Sequence, residues 1–441
     1  MNILFVSLGC DKNLSDTEMM LGMLKKSGYT FTDDETRADI VVVNTCCFIG
    51  DAKEESINTL LEYAEMRKSG QLKGLIAAGC LAQRYREEIQ EEIPEVDAIV
   101  GTLAIDDIVA AVEGVLSGKT QNYYRDINAA PSECMERVLT TGGHFAYLKI
   151  AEGCNKRCTY CVIPKVRGNF RSVPMEVLEA QARKLAEGGV RELILVAQET
   201  TLYGMDLYGK KSLPELLRRL AAIPDIYWIR VLYCYPEEIT DELIEVIATE
   251  EKICHYLDIP IQHAADNVLK RMARRTNQQE LKGMIGKLRE RIPDICLRTT
   301  LISGFPGETQ EDFEELYRFV NEMEFDRLGV FTYSQEEDTV AAGMPDQIDE
   351  DVKAFRRDEL MELQQEIAFE KAEDMIGREL TVMVEGKVAD EDVYVTRTYR
   401  DAPNVDGYLF LNTTANLMTG DFVKVLVTDC NEYDLIGEIA H

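Results

Sequence analysis

The sequence predicts an α/β protein of three parts. These are an N-terminal domain with a parallel sheet, a partial TIM-like (βα)6 barrel, and a small OB-like antiparallel β-barrel at the carboxyl end. Three observations predict this fold. Apolar strands alternate with amphipathic helices near the amino end, the alternation resumes in the middle of the chain, and five short strands close it. A chain of 441 residues also exceeds what one hydrophobic core organises.

Residues 1–117 form the first predicted domain. Continuous apolar strands, such as the one around residues 40–43, each precede an amphipathic helix. That pattern indicates a parallel sheet with helices on both faces. The predicted strands are residues 2–8, 39–44, 73–78 and 97–100, and the predicted helices are residues 15–27, 53–67, 81–93 and a last helix that ends near 116.

Three cysteines follow the strands of this domain. Cys10, Cys46 and Cys80 come just after the first, second and third strands. Because the carboxyl ends of parallel strands share one edge, we expect these thiols to converge there. Small core residues are the other reading of buried cysteines. The three equivalent positions favour a metal cluster, whereas the neighbouring Cys47 is interpreted as packing.

A polar connector and a second domain follow. Residues 118–143 lack sustained periodicity and form a predicted linker, in which Cys134 is interpreted as an incidental thiol. Residues 144–372 are the second predicted domain. Its six strands predict a partial barrel that has its chemistry on the loops after the strands. These strands are residues 145–151, 192–197, 227–233, 256–261, 296–302 and 327–333.

The loop after the first strand of this barrel holds three thiols in eight residues. Cys154, Cys158 and Cys161 are spaced C-x3-C-x2-C, and Gly153 turns the chain before them. An odd number of thiols in so short a loop does not suit disulfides. Three thiolates can hold a four-iron cluster and leave one iron open for a ligand. A three-cysteine zinc site is the alternative. The sequence indicates no catalytic residue beyond the cluster ligands.

Residues 373–441 form the third predicted domain, which follows a long helix over residues 348–375. Five short strands separated by turns indicate the small barrel. From Lys371 onward the chain has six basic and 14 acidic residues, a net charge of −8, which is a poor surface for phosphate. The predicted strands are residues 379–385, 392–398, 407–411, 421–428 and 433–439.

Composition narrows the class of partner. The chain has 48 basic and 79 acidic residues, a net charge of −31, so a basic partner suits it better than nucleic acid. Solubility is the other explanation of this acidity. The amino end has neither a basic leader nor an apolar run long enough to span a bilayer, which predicts a cytoplasmic protein without a membrane partner. Twelve cysteines in such a protein indicate metal binding rather than disulfides.

The three-cysteine loop of the barrel resembles the signature of the radical S-adenosylmethionine (SAM) enzymes. In that family a 4Fe–4S cluster binds SAM through its open iron and cleaves it to a 5′-deoxyadenosyl radical, which abstracts hydrogen. The resemblance implies SAM contacts at the aromatic residue before the third cysteine, after the second strand, and on or after the fifth strand. The implied residues are Tyr160, Gln198, Glu199, Thr200, Arg298, Ser303 and Gly304.

Over nearly the whole chain, the sequence resembles the methylthiotransferases among these enzymes. Leu8-Gly9-Cys10, Asn44-Thr45-Cys46 and Ala78-Gly79-Cys80 match motifs of their first domain, and residues 163–168 match the segment after the third cluster cysteine. The resemblance implies a second 4Fe–4S cluster on Cys10, Cys46 and Cys80, with a sulfur species at its open iron. It also implies that the first domain docks over the mouth of the radical SAM barrel and that the terminal barrel is a TRAM domain.

The two branches of this family differ in substrate. One modifies an adenosine in transfer RNA, and the other modifies the β-carbon of an aspartate in the twelfth protein of the small ribosomal subunit. The acidic TRAM domain and the segment Ala197-Gln198-Glu199-Thr200-Thr201 favour the basic ribosomal protein. With the TRAM domain as its docking site, deletion of residues 378–441 is expected to abolish modification and to spare SAM cleavage.

Further partners follow from the resemblance. It implies a sulfur donor and an electron donor such as flavodoxin or ferredoxin, and we expect a monomer. Two interpretations from other functional classes remain: an iron–sulfur electron carrier without catalysis, and a binding scaffold organised by zinc. Reductive cleavage of SAM separates the enzyme from the carrier, and iron and sulfide analysis separates it from the scaffold.

Overall fold

The computed structural model describes residues 1–119 and 121–440. Thr120, in the predicted linker, and His441, in the third predicted domain, lie outside the described residues. The main elements are a parallel sheet near the amino end, a second and larger parallel sheet, and a closed barrel near the carboxyl end. Within the described part of the chain, no helix has both the length and the apolar character that a membrane crossing requires.

The N-terminal domain is a five-stranded parallel sheet in the order β2-β1-β3-β4-β5. Its central strands are apolar and fully buried between helices, as predicted. The strands are β1 Asn2–Ser7, β2 Thr30–Phe31, β3 Ile40–Thr45, β4 Gly74–Ala78 and β5 Ala98–Val100. The helices are α1 Asp11–Lys26, α2 Gly50–Lys68, α3 Gly79–Tyr85, α4 Glu87–Glu92 and α5 Ile108–Leu116.

Three elements of this domain differ from the prediction. The edge strand β2 has only two residues, too few to produce a periodic pattern. The helix predicted over residues 81–93 is two helices, because Arg86 has a φ of 46° and interrupts the helical backbone between α3 and α4. Helix α1 begins at Asp11, directly after Cys10, rather than at residue 15.

The second domain is built on six parallel strands in the order β13-β12-β11-β10-β9-β6. Strands β6 and β13 do not pair with each other, so the barrel is partial, as predicted. Helices cover its outer face and share one extensive core with it. The strands are β6 Phe145–Lys149, β9 Glu192–Val196, β10 Trp228–Val231, β11 Ile253–Asp258, β12 Cys296–Ser303 and β13 Arg327–Thr332, with a separate small sheet of β7 Ala151–Glu152 and β8 Arg171–Ser172.

Amphipathic helices connect the strands of this domain. Helix α13 illustrates why they begin where they do, since Thr309 and Asp312 form a reciprocal capping box at its amino end. The helices are α6 Ile163–Val166, α7 Met175–Glu187, α8 Met205–Tyr208, α9 Leu213–Ala221, α10 Asp241–Thr249, α11 Asp266–Arg271, α12 Gln278–Arg291, α13 Gln310–Met323 and the long α14 Glu350–Glu373.

The third domain is a closed barrel in the order β14-β15-β16-β18-β17. Four of its strand pairs are antiparallel, but β16 and β18 pair in parallel, so the predicted fully antiparallel barrel is corrected in this detail. The strands are β14 Glu379–Lys387, β15 Val393–Thr398, β16 Leu409–Asn412, β17 Phe422–Cys430 and β18 Leu435–Ile439.

The third domain closes the amino-terminal end of the partial barrel. Trp228 and Cys296, the first residues of β10 and β12, share a core with Met383 and Ala402 of the third domain. At the same end, Arg327 begins β13 and pairs with Asp401 at 2.6 Å. Apolar packing and buried ion pairs therefore attach this domain to the inside of the partial barrel.

The N-terminal domain covers the opposite, carboxyl-terminal end, as predicted. Leu14 of α1 packs against the same inner core. Lys149, the last residue of β6, pairs with Asp16 of α1. Past the end of β13, Glu336 accepts salt bridges from Lys53 at 2.9 Å and from Arg84 at 3.1 Å. The two smaller domains thus lie at opposite ends of the barrel.

Candidate functional site

The three cysteines of the N-terminal domain converge at one edge of its sheet. Cys10 lies directly before α1, Cys46 follows β3, and Cys80 is the second residue of α3. Burial raises the pKa of the Cys46 thiol, and the adjacent Cys10 raises it further. Burial likewise raises the pKa of Cys80, with smaller contributions from Cys10 and Cys46. Each thiol therefore lies within electrostatic range of the others, as the strand positions predicted.

Two glycines and one asparagine build this edge. Gly9 has a φ of 88°, and a Cβ there would lie 2.8 Å from the Cys46 sulfur. Gly79 has a φ of 87°, and a Cβ there would meet the Asn44 side chain at 2.2 Å. Any larger residue would push the strand ends apart. Asn13 closes the site, since its Nδ2 donates to the carbonyl oxygens of Leu8 and Thr45 at 3.0 and 2.9 Å.

Cys154, Cys158 and Cys161, the cysteines of the barrel, lie on the loop between β7 and β8. The strand predicted over residues 145–151 ends at Lys149, and the pairing of β7 with β8 closes the loop into a compact unit. Cys154 and Cys158 are buried, and Cys161 is partly exposed. The backbone N–H of Lys156 points at the Cys154 sulfur at 3.4 Å, and the Tyr235 hydroxyl contacts the Cys158 sulfur at 3.6 Å.

Both groups of thiols suit a four-iron cluster. Within the described residues, no three His, Cys, Asp or Glu side chains are arranged to hold a single metal ion. A cluster spreads its thiolates over separate corners of a cube, further apart than the ligands of one ion. All six cysteines are free, and burial raises the pKa of Cys154 to about 11, so metal binding there must release protons. That these two groups each supply three thiolates to a cluster stays a prediction.

Three of the residues predicted to contact SAM lie close to the three-cysteine loop of the barrel. Tyr160 is partly exposed, and its ring packs edge-on against that of Phe305, with 6.4 Å between the ring centroids. The Nε2 of Gln198 donates to Glu152 at 3.0 Å. Glu199 is buried 3.5 Å from the Lys156 ammonium, and burial raises its pKa to about 7. These groups lie beside the three thiols, so their contacts with SAM stay predictions.

The other predicted contacts have protein partners of their own. The Thr200 hydroxyl donates to the Leu232 carbonyl at 2.8 Å, and the Ser303 hydroxyl donates to the Lys353 carbonyl at 3.0 Å. The Gly304 N–H donates to Glu308 at 2.8 Å. Arg298 pairs with Asp258 at 2.8 Å and with Asp406 of the third domain at 3.6 Å. The structure therefore ties Arg298 to the docking of the third domain, a role that the sequence did not indicate.

A buried ionic network joins the two groups of cysteines. Arg167 donates to Asp16 at 2.7 Å and to Glu152 at 3.1 Å, and Lys149 contacts the same two carboxylates. Burial alone would raise the pKa of Glu152, but Arg167 and Lys149 hold it well below its usual range. The network links α1 to the barrel loop, and Gln198 extends it to the predicted SAM contacts.

Lys12 lies between the two domains at this end of the barrel. It is 7% exposed, and its ammonium is 3.3 Å from the centroid of the Tyr233 ring at the end of β10. The other buried lysines, Lys149, Lys156 and Lys353, all pair with carboxylates. Among the described residues, no carboxylate lies within ion-pair distance of Lys12. An aromatic face therefore holds this cation beside Cys10.

Sequence reasoning missed several of these residues. Lys12, Asn13 and Asp16 lie on the first turns of α1, immediately after Cys10. The signal was a run of polar residues that are buried rather than exposed, which becomes visible only once α1 is known to face the barrel. The interpretation of Cys47 as a packing residue agrees with the structure, in which its side chain is fully buried. Cys234, Cys254 and Cys296 are also buried, in the core of the barrel.

Three family models match the chain. The family described as "Uncharacterized protein family UPF0004" matches residues 2–101, the radical SAM superfamily matches residues 148–320, and the TRAM domain matches residues 376–440. The three matches follow the same order as the N-terminal sheet, the partial barrel and the closed barrel.

Similar proteins cover the full length of this chain. Three of them carry the name ribosomal protein uS12 methylthiotransferase RimO. The protein of Lachnoclostridium phytofermentans is 63% identical over 437 residues and covers 99% of both chains. That of Clostridioides difficile is 48% identical and covers 100% of this chain and 99% of its own. That of a Thermoanaerobacter species is 47% identical and covers 99% of both.

Solved structures share the fold. The radical SAM methyltransferase TsrM from Kitasatospora setae, with cobalamin and a [4Fe-4S] cluster bound, superposes with a TM-score of 0.57 at 13% identity, covering 85% of this chain and 78% of that one. The cobalamin-dependent SAM radical enzyme OxsB gives a TM-score of 0.52 at 13% identity, covering 83% and 56%. Likeness at this identity concerns the fold alone.

Proposed function

This chain belongs to the RimO family of ribosomal protein uS12 methylthiotransferases, and from this premise we propose that it adds a methylthio group to the β-carbon of an aspartate in uS12. The chain is a radical SAM enzyme that uses SAM and 4Fe–4S clusters. We assign one cluster to Cys154, Cys158 and Cys161 and the second to Cys10, Cys46 and Cys80. The arrangement that supports this assignment is the docking of α1 over the mouth of the barrel, which turns both groups of thiols toward one interface.

The protein residues have separate tasks in this proposal. When bound, the clusters and SAM supply the radical and the sulfur and methyl groups. The compact β7–β8 unit holds the first three thiols, of which Cys154 and Cys158 are buried, in a fixed arrangement. Tyr160, Gln198 and Glu199 would contact SAM at the first cluster, and their position beside the barrel loop supports this role. Thr200, Ser303 and Gly304 support that site through backbone contacts.

We assign Lys12 to the side-chain carboxylate of the substrate aspartate. Its ammonium is the buried lysine cation that lacks a carboxylate partner among the described residues, and it lies beside the second group of thiols. A carboxylate next to the carbon that reacts would neutralise this charge and fix that carbon relative to both clusters. An adenosine of the i6A type offers no carboxylate for this position, which favours the protein substrate over that form of transfer RNA.

The surface of the third domain supports the same choice. Its exposed acidic residues are Glu379, Asp390, Glu391, Asp392, Asp429, Glu432 and Glu438, whereas its exposed basic residues are Arg378, Lys387 and Lys424. Arg397 and Arg400 point inward and pair with carboxylates of the barrel. The outer surface is therefore predominantly acidic, as the composition of this domain predicts, and it suits a basic ribosomal protein.

The proposal also requires a path for the substrate between the docking surface and the site. The third domain and the N-terminal domain lie at opposite ends of the barrel, so a docked substrate must extend a segment along its open side. Phe331 lies on the edge strand β13 and is 52% exposed there. We propose that a substrate loop passes over this strand. A monomer in the cytoplasm, with flavodoxin or ferredoxin as electron donor and a separate sulfur donor, completes the proposal.

The decisive experiment compares a strain that lacks this protein with its parent strain and with the complemented deletion strain. Mass spectrometry of uS12 and of transfer RNA nucleosides is run on all three. Loss of a methylthio group from uS12 supports the proposal, whereas loss from transfer RNA alone overturns it in favour of the adenosine substrate. Purified, cluster-loaded protein that cleaves SAM but leaves both substrates unmodified would contradict both assignments.

A further inference from the structure

Arg167 of the barrel contacts Cys80 of the N-terminal domain through a set of buried hydrogen bonds. It is the residue after α6, six positions beyond Cys161, and only 1% of its surface is exposed. Its Nε and Nη2 lie 3.4 and 3.3 Å from the Cys80 sulfur. The barrel thus donates two N–H groups to a thiol of the other domain.

The remaining donors of this guanidinium are also occupied. Its Nη1 donates to Asp16 and to Glu152, and its Nη2 also donates to Asn13 at 2.5 Å. Asp16 and Asn13 belong to α1, and Glu152 belongs to β7. Because carboxylates from both domains hold the planar group, it has little freedom to rotate away from the sulfur.

We propose that Arg167 is a positioning residue that sets the reduction potential of the second cluster and holds it in register with the first. The inference depends on the proposed function through the assignment of Cys80 as a cluster ligand. Hydrogen bonds to the sulfurs and nearby charge both set the potential of an iron–sulfur cluster. A cation with two N–H donors at the ligand sulfur stabilises the reduced cluster, which carries more negative charge.

The position of Arg167 in the chain explains how it would hold the second cluster in register with the first. Cys161 and Arg167 lie on one short segment that contains only α6 between them. One end of the segment belongs to the first group of thiols, and the other end contacts Cys80. Movement of either domain relative to the other would break the contacts of Arg167, so this segment fixes the separation of the two sites.

Arg84 provides a matched control. It also bridges the N-terminal domain and the barrel from a buried position, with Nη1 at 3.1 Å from Glu336 and Nη2 at 2.8 Å from the Glu337 carbonyl. Its contacts in the cysteine region are with Cys47, which is not an assigned cluster ligand: the Cys47 carbonyl oxygen accepts from it at 3.4 Å, and its charge acts on the Cys47 thiol. Replacement of Arg84 therefore tests loss of an interdomain ion pair without loss of a donor to the sulfur of an assigned cluster ligand.

The experiment measures the midpoint potential of the second cluster by redox titration followed by electron paramagnetic resonance. The full chain carries Cys154, Cys158 and Cys161 as alanine, so that only the second cluster is bound. In this background R167Q is expected to shift the potential to a more negative value, R167K to shift it less because the charge remains, and R84Q to leave it unchanged. Cluster content is checked by iron and sulfide analysis.

Two results would overturn the inference. One is an R167Q or R167K protein with a full cluster and an unchanged potential, and the other is an R84Q protein with an equal shift. If R167Q fails to retain its cluster, R167K decides the question. A separate outcome concerns the proposed function, because iron content that stays the same in C80A would remove Cys80 as a ligand whatever the potentials are.

Discussion

Arg397 of the terminal barrel donates to Glu192 at the start of β9 across 2.6 Å, and both side chains are fully buried. The other oxygen of Glu192 accepts from Arg230 of β10 at 2.9 Å. These residues lie far apart in sequence, and their ion pairs sit where the third domain enters the amino-terminal end of the partial barrel. The third domain is therefore part of the core of the enzyme as well as a docking surface.

This contact changes the test that the sequence suggested. Deletion of residues 378–441 would leave Glu192 and Arg230 without Arg397, and would expose apolar residues such as Trp228. Such a truncated chain is expected to lose SAM cleavage together with modification. Substitutions on the outer surface of the third domain are the sharper test of substrate docking.

The first prediction concerns the stability of this contact. Replacement of Glu192 by Gln leaves two buried guanidinium groups without their shared carboxylate, and is expected to lower the free energy of unfolding by about 3–5 kcal/mol. Chemical denaturation of purified protein measures the change. The exposed pair of Arg183 and Glu179 is the control, because R183Q should change stability by less than about 0.5 kcal/mol. An equal effect of both variants would contradict the prediction.

The same carboxylate predicts a dependence on pH. Burial alone would raise the pKa of Glu192, but Arg397 and Arg230 lower it below its usual range. Because the pKa of Glu192 is lower in the folded protein, its carboxylate stabilises the fold fully above the pKa of a Glu in the unfolded chain, about 4.3. This stabilisation is lost as the pH falls toward the lower pKa of the folded protein. The stability difference between the parent protein and E192Q should therefore shrink below about pH 4. A stability difference between the parent protein and E192Q that stays constant from pH 7 to below about pH 4 would contradict this prediction.

A third prediction concerns docking of the substrate. Reversal of charge at Asp390, Glu391 and Asp392, which are exposed between β14 and β15, should slow association with uS12 by about tenfold at low salt, with a smaller effect at high salt. Stopped-flow binding at two salt concentrations measures this. The control reverses three exposed acids of α4, Glu88, Glu91 and Glu92, in the N-terminal domain. The docking surface is wrong if both triple variants slow association equally.

Lys12 provides a fourth prediction. K12M removes the cation assigned to the substrate carboxylate and should lower kcat/KM for a uS12 peptide by about 10- to 100-fold. Cleavage of SAM without peptide should stay near the parent rate. A peptide with Asn in place of the target Asp should bind the parent protein less well and should show little further loss with K12M. K165M, at an exposed lysine, is the control. Equal losses for the Asp and Asn peptides would exclude the assignment.

The fifth prediction separates the two groups of thiols. C154A removes a ligand of the first cluster and should abolish reductive SAM cleavage, whereas C46A should spare cleavage and block sulfur insertion. Product analysis by mass spectrometry follows 5′-deoxyadenosine and the methylthio group in the same reaction. C47A is the control, because Cys47 is a fully buried packing residue. The division of tasks fails if C154A and C46A, both well folded, lose SAM cleavage equally.

The sequence by itself determined the strands, the spacing of the cysteines and the class of chemistry. Apolar strands followed by helices specify parallel sheets locally, because the pattern of burial is written in each segment. Since the carboxyl ends of such strands share an edge, the convergence of Cys10, Cys46 and Cys80 also followed from sequence. Short features such as β2 and the break at Arg86 did not, because they depend on single residues without a period.

The resemblance implied that the first domain covers the mouth of the barrel, but only the tertiary structure decided which residues join the domains. The contacts of Arg167 with Cys80, of Arg397 with Glu192 and of Lys12 with Tyr233 join residues from separate domains. In sequence each of these charged residues reads as a surface position, because burial of a charge is favourable only when a distant partner is already in place. The pairing partners are set by how three domains pack around one open barrel, and no local pattern of residues encodes that arrangement.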